Sequence, residues 1–268
     1  MRRVLSHRLW LCIALLNGGA FAAIADEPVD AERIPTLWVC GDSTASRGRD
    51  EGWASHLQKY FDPEKLRVVN RARGGRSSRT FQTEGLWDAV LAEARPGDFI
   101  LIQFGHNDGG PPDRDRARGS LRGVGDNTRT VTMTDGKEEA VHTYGWYLRK
   151  YVGDARARGA TPIIASPIVR CRWQDGKVIR STDYPRWAAE VAGSEECLFV
   201  DAASIIADGY DELGEETVRP YFPEDHTHTN AEGAALNADL IYTGLRSLAG
   251  DPFGDFVFAT RPCHSCED

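Results

Sequence analysis

The chain has 268 residues, 41% of them hydrophobic and 27% charged, with a formal net charge of −8. That is enough apolar material for one buried core and too little compositional bias for a disordered or fibrous protein. An acidic chain of this kind lacks the basic surface that neutralises phosphates, which argues against a nucleic-acid partner.

The first 25 residues read as a secretory signal. Arg2, Arg3 and Arg8 precede or flank the start of an apolar run over residues 9–16, and Ala23-Ile24-Ala25 supplies a small-residue cleavage site before Asp26. The apolar run is shorter than the ~20 residues that spanning a bilayer requires. We therefore expect a mature chain of residues 26–268, secreted or periplasmic and without a membrane partner once the signal is cleaved; an uncleaved N-terminal anchor is the alternative. Removing residues 1–25 removes three Arg and no acid, which takes the formal charge from −8 to −11.

Beyond the signal, apolar runs of strand length recur at residues 37–40, 67–70, 99–104, 162–166 and 197–200. Segments with helical spacing lie at 53–60, 84–94, 143–158, 185–192 and 231–249. Strands that alternate with helices, several of them apolar on both faces, predict a parallel sheet covered on both sides: a three-layer α/β/α sandwich in a single domain, with its core over about residues 36–249. Such sheets carry their sites at the carboxyl ends of the strands. Residues 109–140, rich in Gly, Asp and Arg, are too long for an ordinary connection, and either wall a substrate cleft or form a tolerated surface insertion. The tail, residues 250–268, has no clear period and is expected on the surface.

Five cysteines follow the signal: Cys40, Cys171, Cys197, Cys263 and Cys266. The last two have C-x-x-C spacing but no second such pair, so a disulfide between two or four of the five is expected in an exported chain rather than a zinc site. Cys40, inside a strand, reads as a buried thiol.

Four short segments carry the chemistry. In Gly41-Asp42-Ser43-Thr44, after the first strand, Gly41 permits a tight turn that exposes the Ser43 hydroxyl, and Asp42 holds the turn; a helix N-cap has the same appearance. Residues 70–80, Asn-Arg-Ala-Arg-Gly-Gly-Arg-Ser-Ser-Arg-Thr, offer the Gly75 N–H to a ligand, with arginines that could equally be a solvated face. Gly105-His106-Asn107-Asp108 ends the third strand, where the Asn107 amide can donate to an oxyanion without carrying charge. Asp225-His226-Thr227-His228 supplies a base, His228, and Asp225 to orient it; a metal site built on the two histidines is the other reading.

These segments, in this order, resemble the SGNH/GDSL hydrolase superfamily. The strings V-C-G-D-S-T, N-R-A-R-G-G-R-S-S-R-T-F, F-G-H-N-D-G-G and Y-F-P-E-D-H-T-H-T-N are similar to its rhamnogalacturonan acetylesterase branch, carbohydrate esterase family 12. The resemblance covers about residues 36–245. It implies a flavodoxin-like SGNH hydrolase fold, no cofactor and no metal, and removal of acetyl groups from a pectic polysaccharide, an acetylated polysaccharide being the partner. It makes Ser43 the nucleophile, Asp225 and His228 the rest of a triad, and Ser43, Gly75 and Asn107 the oxyanion hole. Arg76, Arg79, Arg170 and Arg172 are candidates to pair with substrate carboxylates, because guanidinium binds carboxylate in a bidentate manner. Residues 111–140 and 166–181 look more like bacterial members than fungal ones. The alternatives are an esterase of the same fold acting on acetylxylan, a lipid or a thioester, and a non-catalytic secreted carbohydrate-binding protein.

Overall fold

The computed structural model describes residues 33–46, 52–114 and 116–258. The expected signal segment, the Cys263/Cys266 pair and the end of the tail lie outside the described residues.

Five strands, β1 (Thr36–Gly41), β2 (Arg67–Asn70), β3 (Phe99–Gln103), β6 (Thr161–Ala165) and β9 (Leu198–Val200), form one sheet in the order β2-β1-β3-β6-β9. Every pairing in it is parallel. Successive side chains of a strand point to opposite faces, and both faces are apolar. Leu37, Val39, Leu101, Ile163 and Val200 enter one core cluster, while Trp38, Cys40, Ile100, Ile102 and Ile164 enter the other. On the first face lie a 3-10 helix (Trp53–Tyr60), α5 (Ala202–Leu213), the short α6 (Glu215–Val218) and α7 (Ala231–Arg246). The second face is covered by the short α1 (Thr80–Thr83), α2 (Leu86–Glu93), α3 (Tyr144–Ala157) and α4 (Asp183–Ser194). This is the predicted three-layer α/β/α arrangement with a flavodoxin-like strand order.

Capping fixes where the principal helices start. Thr143 accepts from the Trp146 N–H at the head of α3, Asp201 from the Ser204 N–H at α5, and Asn230 from the Gly233 N–H at α7. The last cap matters for function, since it ends the 222–229 loop two residues after His228. α7 then packs against the 3-10 helix that follows the Ser43 turn, with Tyr60 and Tyr242 rings stacked at 4.4 Å. Two elements nearly 200 residues apart in sequence are thereby brought side by side.

Three features differ from expectation, the form of 53–60, the helix after β9 and the tail, while the buried Cys40 thiol agrees with it. The 53–60 segment forms a 3-10 helix rather than an α-helix. α5 was not predicted, although Asp201 at its cap and Ile206, Ala207 and Tyr210 on its buried face are its signature. The three described cysteines are free. Cys40 lies fully inside the sheet, where burial pushes its thiol far up; the Cys171 sulfur accepts from the Trp173 indole; and Cys197, raised to about 11 by burial, donates to the Pro162 carbonyl. The described part of the tail is not merely superficial either, because Phe253 is fully buried against Phe61 and Phe99.

The long excursion after β3 forms an antiparallel ribbon of β4 (Thr128–Thr132) and β5 (Glu138–His142). A second, very small ribbon of β7 (Trp173–Gln174) and β8 (Lys177–Val178) follows β6. Both rise from the carboxyl end of the sheet, because they leave from the ends of β3 and β6.

Candidate active site

The four chemical segments meet at that end of the sheet. Gly41 of β1 is in register with Gln103 of β3, so the turn carrying Ser43 and the loop carrying Asn107 leave side by side. Beyond β2 the chain keeps pairing with β1, with the Arg71 N–H donating to the Val39 carbonyl and the Arg73 N–H to that of Gly41. This extension carries Gly74 and Gly75 to Ser43: a methyl group on Gly74 would stand 3.7 Å from the Ser43 Cβ.

The turn carrying Ser43 is held from below. Asp42 is fully buried, and its Oδ1 accepts from the Thr44 N–H at 2.9 Å and the Thr44 hydroxyl at 2.7 Å. The Asn70 amide donates to the Ala45 carbonyl at 2.8 Å and so ties the turn to the end of β2. Asp42 thus shapes the turn, as the sequence suggested.

Ser43 Oγ lies 2.8 Å from His228 Nε2, and His228 Nδ1 lies 2.7 Å from Asp225 Oδ2. The other Asp225 oxygen accepts from the Thr227 N–H at 2.6 Å and the His228 N–H at 2.8 Å. Partial burial pushes the Asp225 carboxyl up, but hydrogen bonds from the His228 ring and these two N–H groups outweigh it and hold it at about 2. Asp225 is therefore an anion at any pH where imidazole is a base. It fixes the ring with the proton on Nδ1, leaving the Nε2 lone pair for the serine proton. The geometry is that of a general base poised on a hydroxyl nucleophile.

Gly75 and Asn107, the oxyanion donors expected from the sequence, lie on the neighbouring loops. Gly75 has φ +78°, a left-handed conformation that a side chain would strain. The Ser43 and Gly75 N–H groups donate to no other described residue. The Asn107 side chain, nearly buried, is oriented by donating to the Arg76 carbonyl at 2.8 Å. Its neighbour Asp108 is fully buried and accepts from the Ser78 N–H and hydroxyl and, at 2.9 Å, from the Ser120 hydroxyl. Asp108 so staples the Gly75 segment, the Asn107 loop and the start of the excursion. Burial raises its carboxyl to about 6 in spite of those donors.

The two loop histidines face different partners. His228 turns to Ser43 and Asp225, whereas His226 Nε2 faces the guanidinium groups of Arg172 at 2.7 Å and Arg170 at 3.3 Å. Among the described residues no three His, Cys, Asp or Glu side chains cluster as metal ligands.

A cavity of about 570 Å³ opens on the Asn107 side, bounded by Asn107, Ile179 and Tyr184 and carrying Arg118, Arg170 and Arg172. Among the described residues no carboxylate lines it. A second cavity of about 620 Å³ lies beyond Gly75 and shares only Arg118 with the first. Of the four arginines singled out from sequence, Arg170 and Arg172 reach the first cavity, and Arg76 lies at the second, paired with Glu84. Arg79 also borders the second cavity, but it is fully buried and its five donors are spent on both Glu139 oxygens, the Pro112 and Gly119 carbonyls and the Met133 sulfur. It anchors the excursion instead of facing a substrate. Arg118 was missed because it sits in an aperiodic stretch, among several other arginines, where only the folded path distinguishes it.

The family model for GDSL-like Lipase/Acylhydrolase proteins matches residues 39–236. A rhamnogalacturonan acetylesterase of Emericella nidulans is 34% identical over 77% of this chain and 82% of its own length. A Bacillus subtilis protein named probable rhamnogalacturonan acetylesterase YesY is 30% identical, over 84% of this chain and 98% of its own. Among solved structures, Bacillus subtilis YxiM superimposes with a TM-score of 0.65 at 23% identity, over 80% of this chain and 56% of that one. A catalytic mutant of an acetylxylan esterase from Geobacillus stearothermophilus gives 0.54 at 17% identity, over 85% of this chain and all of that one. With the matched region running from β1 through the Ser43, Asn107 and His228 segments, the chain belongs to the GDSL-like Lipase/Acylhydrolase family of carboxylic ester hydrolases.

Proposed function

We propose that this chain is an exported serine esterase that removes acetyl groups from a plant cell-wall polysaccharide, acetylated rhamnogalacturonan of pectin, through an acyl-enzyme. The observation that carries the reading is the hydrogen-bonded series Ser43 Oγ, His228 Nε2, His228 Nδ1 and Asp225 Oδ2 beside the Asn107 amide. Ser43 Oγ attacks the acetyl carbonyl while His228 takes its proton. The oxygen that becomes negative meets the Ser43 and Gly75 N–H groups and the Asn107 side chain. His228 then returns the proton to the sugar oxygen, which leaves as the free alcohol. In the second half His228 deprotonates a water that attacks the acetyl-serine, and acetate departs as Ser43 is reprotonated.

Support for the substrate comes from the two named relatives and from the cavity wall. Arg118, Arg170 and Arg172 make no ion pair with any described carboxylate. A uronate carboxylate supplies the missing charge, and Ile179, an exposed apolar side chain at the rim, can cover a sugar face. Export follows in this reading from residues 1–25, and N-terminal sequencing of the mature protein is expected to start at Asp26. The test of function is acetate release from acetylated rhamnogalacturonan, acetylated xylan and small acetate esters, with Ser43→Ala as control. Fastest release from the pectic substrate, abolished by Ser43→Ala, supports the proposal. Preference for xylan, or activity retained in folded Ser43→Ala, overturns it.

A further inference from the structure

The base of the triad rides on a loop that its own bonds do not place. Asp225 and His228 have side chains 43% and 47% exposed, and no helix or strand contains them. The Asp225 bonds fix that residue relative to His228, but not the pair relative to Ser43. Asn230 closes the far end of the loop on the Tyr221 carbonyl, and within 223–228 His226 makes the hydrogen bonds that reach the segment after β6. Its carbonyl accepts from the Cys171 N–H at 2.8 Å. Its Nε2 lies 2.7 Å from Arg172 NH2 and 3.3 Å from Arg170 NH1. Arg170 also reaches the His106 carbonyl, at 3.5 Å, in the loop that carries Asn107.

A guanidinium can only donate, so the His226 Nε2 lone pair must be the acceptor and the ring proton sits on Nδ1. The ring is then neutral. Desolvation and the charges of Arg172 and Arg170 all disfavour its protonation, against a smaller pull from Asp225. A neutral imidazole so joins the base loop to the segment after β6, and through Arg170 to the oxyanion loop.

On the reading of Ser43, His228 and Asp225 as an esterase triad, we propose that His226 is a positioning residue, whose acceptor nitrogen, held by Arg172 and Arg170, sets the distance from His228 to Ser43. The two arginines thereby act on the chemical step with one edge while the other faces the cavity. A misplacement of about 1 Å in a catalytic constellation can cost about 100-fold in rate, so the effect belongs in kcat.

The experiment uses the full chain with 4-nitrophenyl acetate, a neutral ester with no carboxylate to be read. His226→Leu, which fills the site without an acceptor, is expected to lower kcat about 10- to 100-fold with KM changed by less than about 3-fold. His226→Gln, whose amide oxygen can accept, is expected to regain at least half of that loss on a logarithmic scale. Arg172→Met should resemble His226→Leu, and the double variant should be no worse than either single one. If His226→Leu fails to fold, the Gln and Met variants carry the same comparison. Unchanged kcat, a Gln variant no better than Leu, or a loss confined to KM on acetylated pectin overturns the inference. A wild-type protein that turns over no acetyl ester overturns the triad reading itself.

Discussion

Arg79 offers a sharp separation of scaffold from substrate binding. Arg79→Met would remove all five donors from a fully buried site. It would strand the Gly119 carbonyl in the interior, cut the Pro112 carbonyl loose and leave Glu139 without its bidentate partner. Breaking a buried ion pair from one side costs about 3–5 kcal/mol and a stranded buried acceptor about 1–3 kcal/mol. The Glu139 side chain is 26% exposed and can turn toward water, which lowers the total. A net loss of about 3–5 kcal/mol is expected, a large share of the ~5–15 kcal/mol that holds a typical domain together. For a domain of this size that is a fall of roughly 6–20 °C in Tm. Arg79→Lys should recover little, since an ammonium cannot span both carbonyls and a bidentate carboxylate. The assays are urea unfolding and, well below the new midpoint, initial rates on acetylated pectin and on 4-nitrophenyl acetate. Activity on the two substrates should fall in proportion. A variant that loses less than about 1 kcal/mol yet is selectively impaired on pectin would refute this, and would restore Arg79 as a substrate contact.

Other consequences concern the catalytic groups directly. Asn107→Ala removes one oxyanion donor and should lower kcat about 100- to 1,000-fold with little change in KM, measured by steady-state kinetics on a neutral ester. Asp225→Asn keeps the shape but presents the wrong hydrogen-bond partner to Nδ1, and should cost about 100- to 10,000-fold in kcat at neutral pH. Because the folded carboxyl of Asp225 is depressed to about 2, its stabilising contribution is present above pH ~4 and is lost as pH falls toward 2. Solvent screening of this exposed group keeps that contribution small, and acid unfolding of wild type against Asp225→Asn measures it. Asp108 has the opposite sign: raised to about 6 by burial, it favours the folded state fully below pH ~4 and loses that contribution as pH rises through 6. The stability difference between wild type and Asp108→Asn should therefore move by about 2–3 kcal/mol between pH 4 and pH 7, read by denaturant titration at each pH. A flat difference would mean that the buried carboxyl is not perturbed.

The sheet was legible because β1, β3 and β6 are buried on both faces, and such strands are apolar throughout. The hydrogen-bonded Ser43, His228 and Asp225 were legible because their types fall within short segments: Asp225 and His228 share one loop, and Ser43 lies two residues after the end of β1. What escaped was set by long-range packing. The sequence could count arginines near Gly75 but could not show that Arg79 turns inward to Glu139, while Arg118, across an aperiodic stretch, turns to the Gly75 carbonyl. Phe253 looked like part of a loose tail because its partners, Phe61 and Phe99, lie nearly 200 and more than 150 residues away. The described cysteines are each placed by their own element, Cys40 in the sheet, Cys171 beside Trp173 and Cys197 beside Pro162, while Cys263 and Cys266 lie outside the described residues.

The central claim is that His228 activates Ser43. Intact-mass analysis and peptide mapping after exposure to a serine-reactive organophosphate measure it most directly. One adduct per chain, mapping to Ser43, with loss of activity in step with labelling and a large drop in labelling rate in His228→Ala, is the expected result. Full labelling at another residue, or an active protein that stays unlabelled, would contradict it.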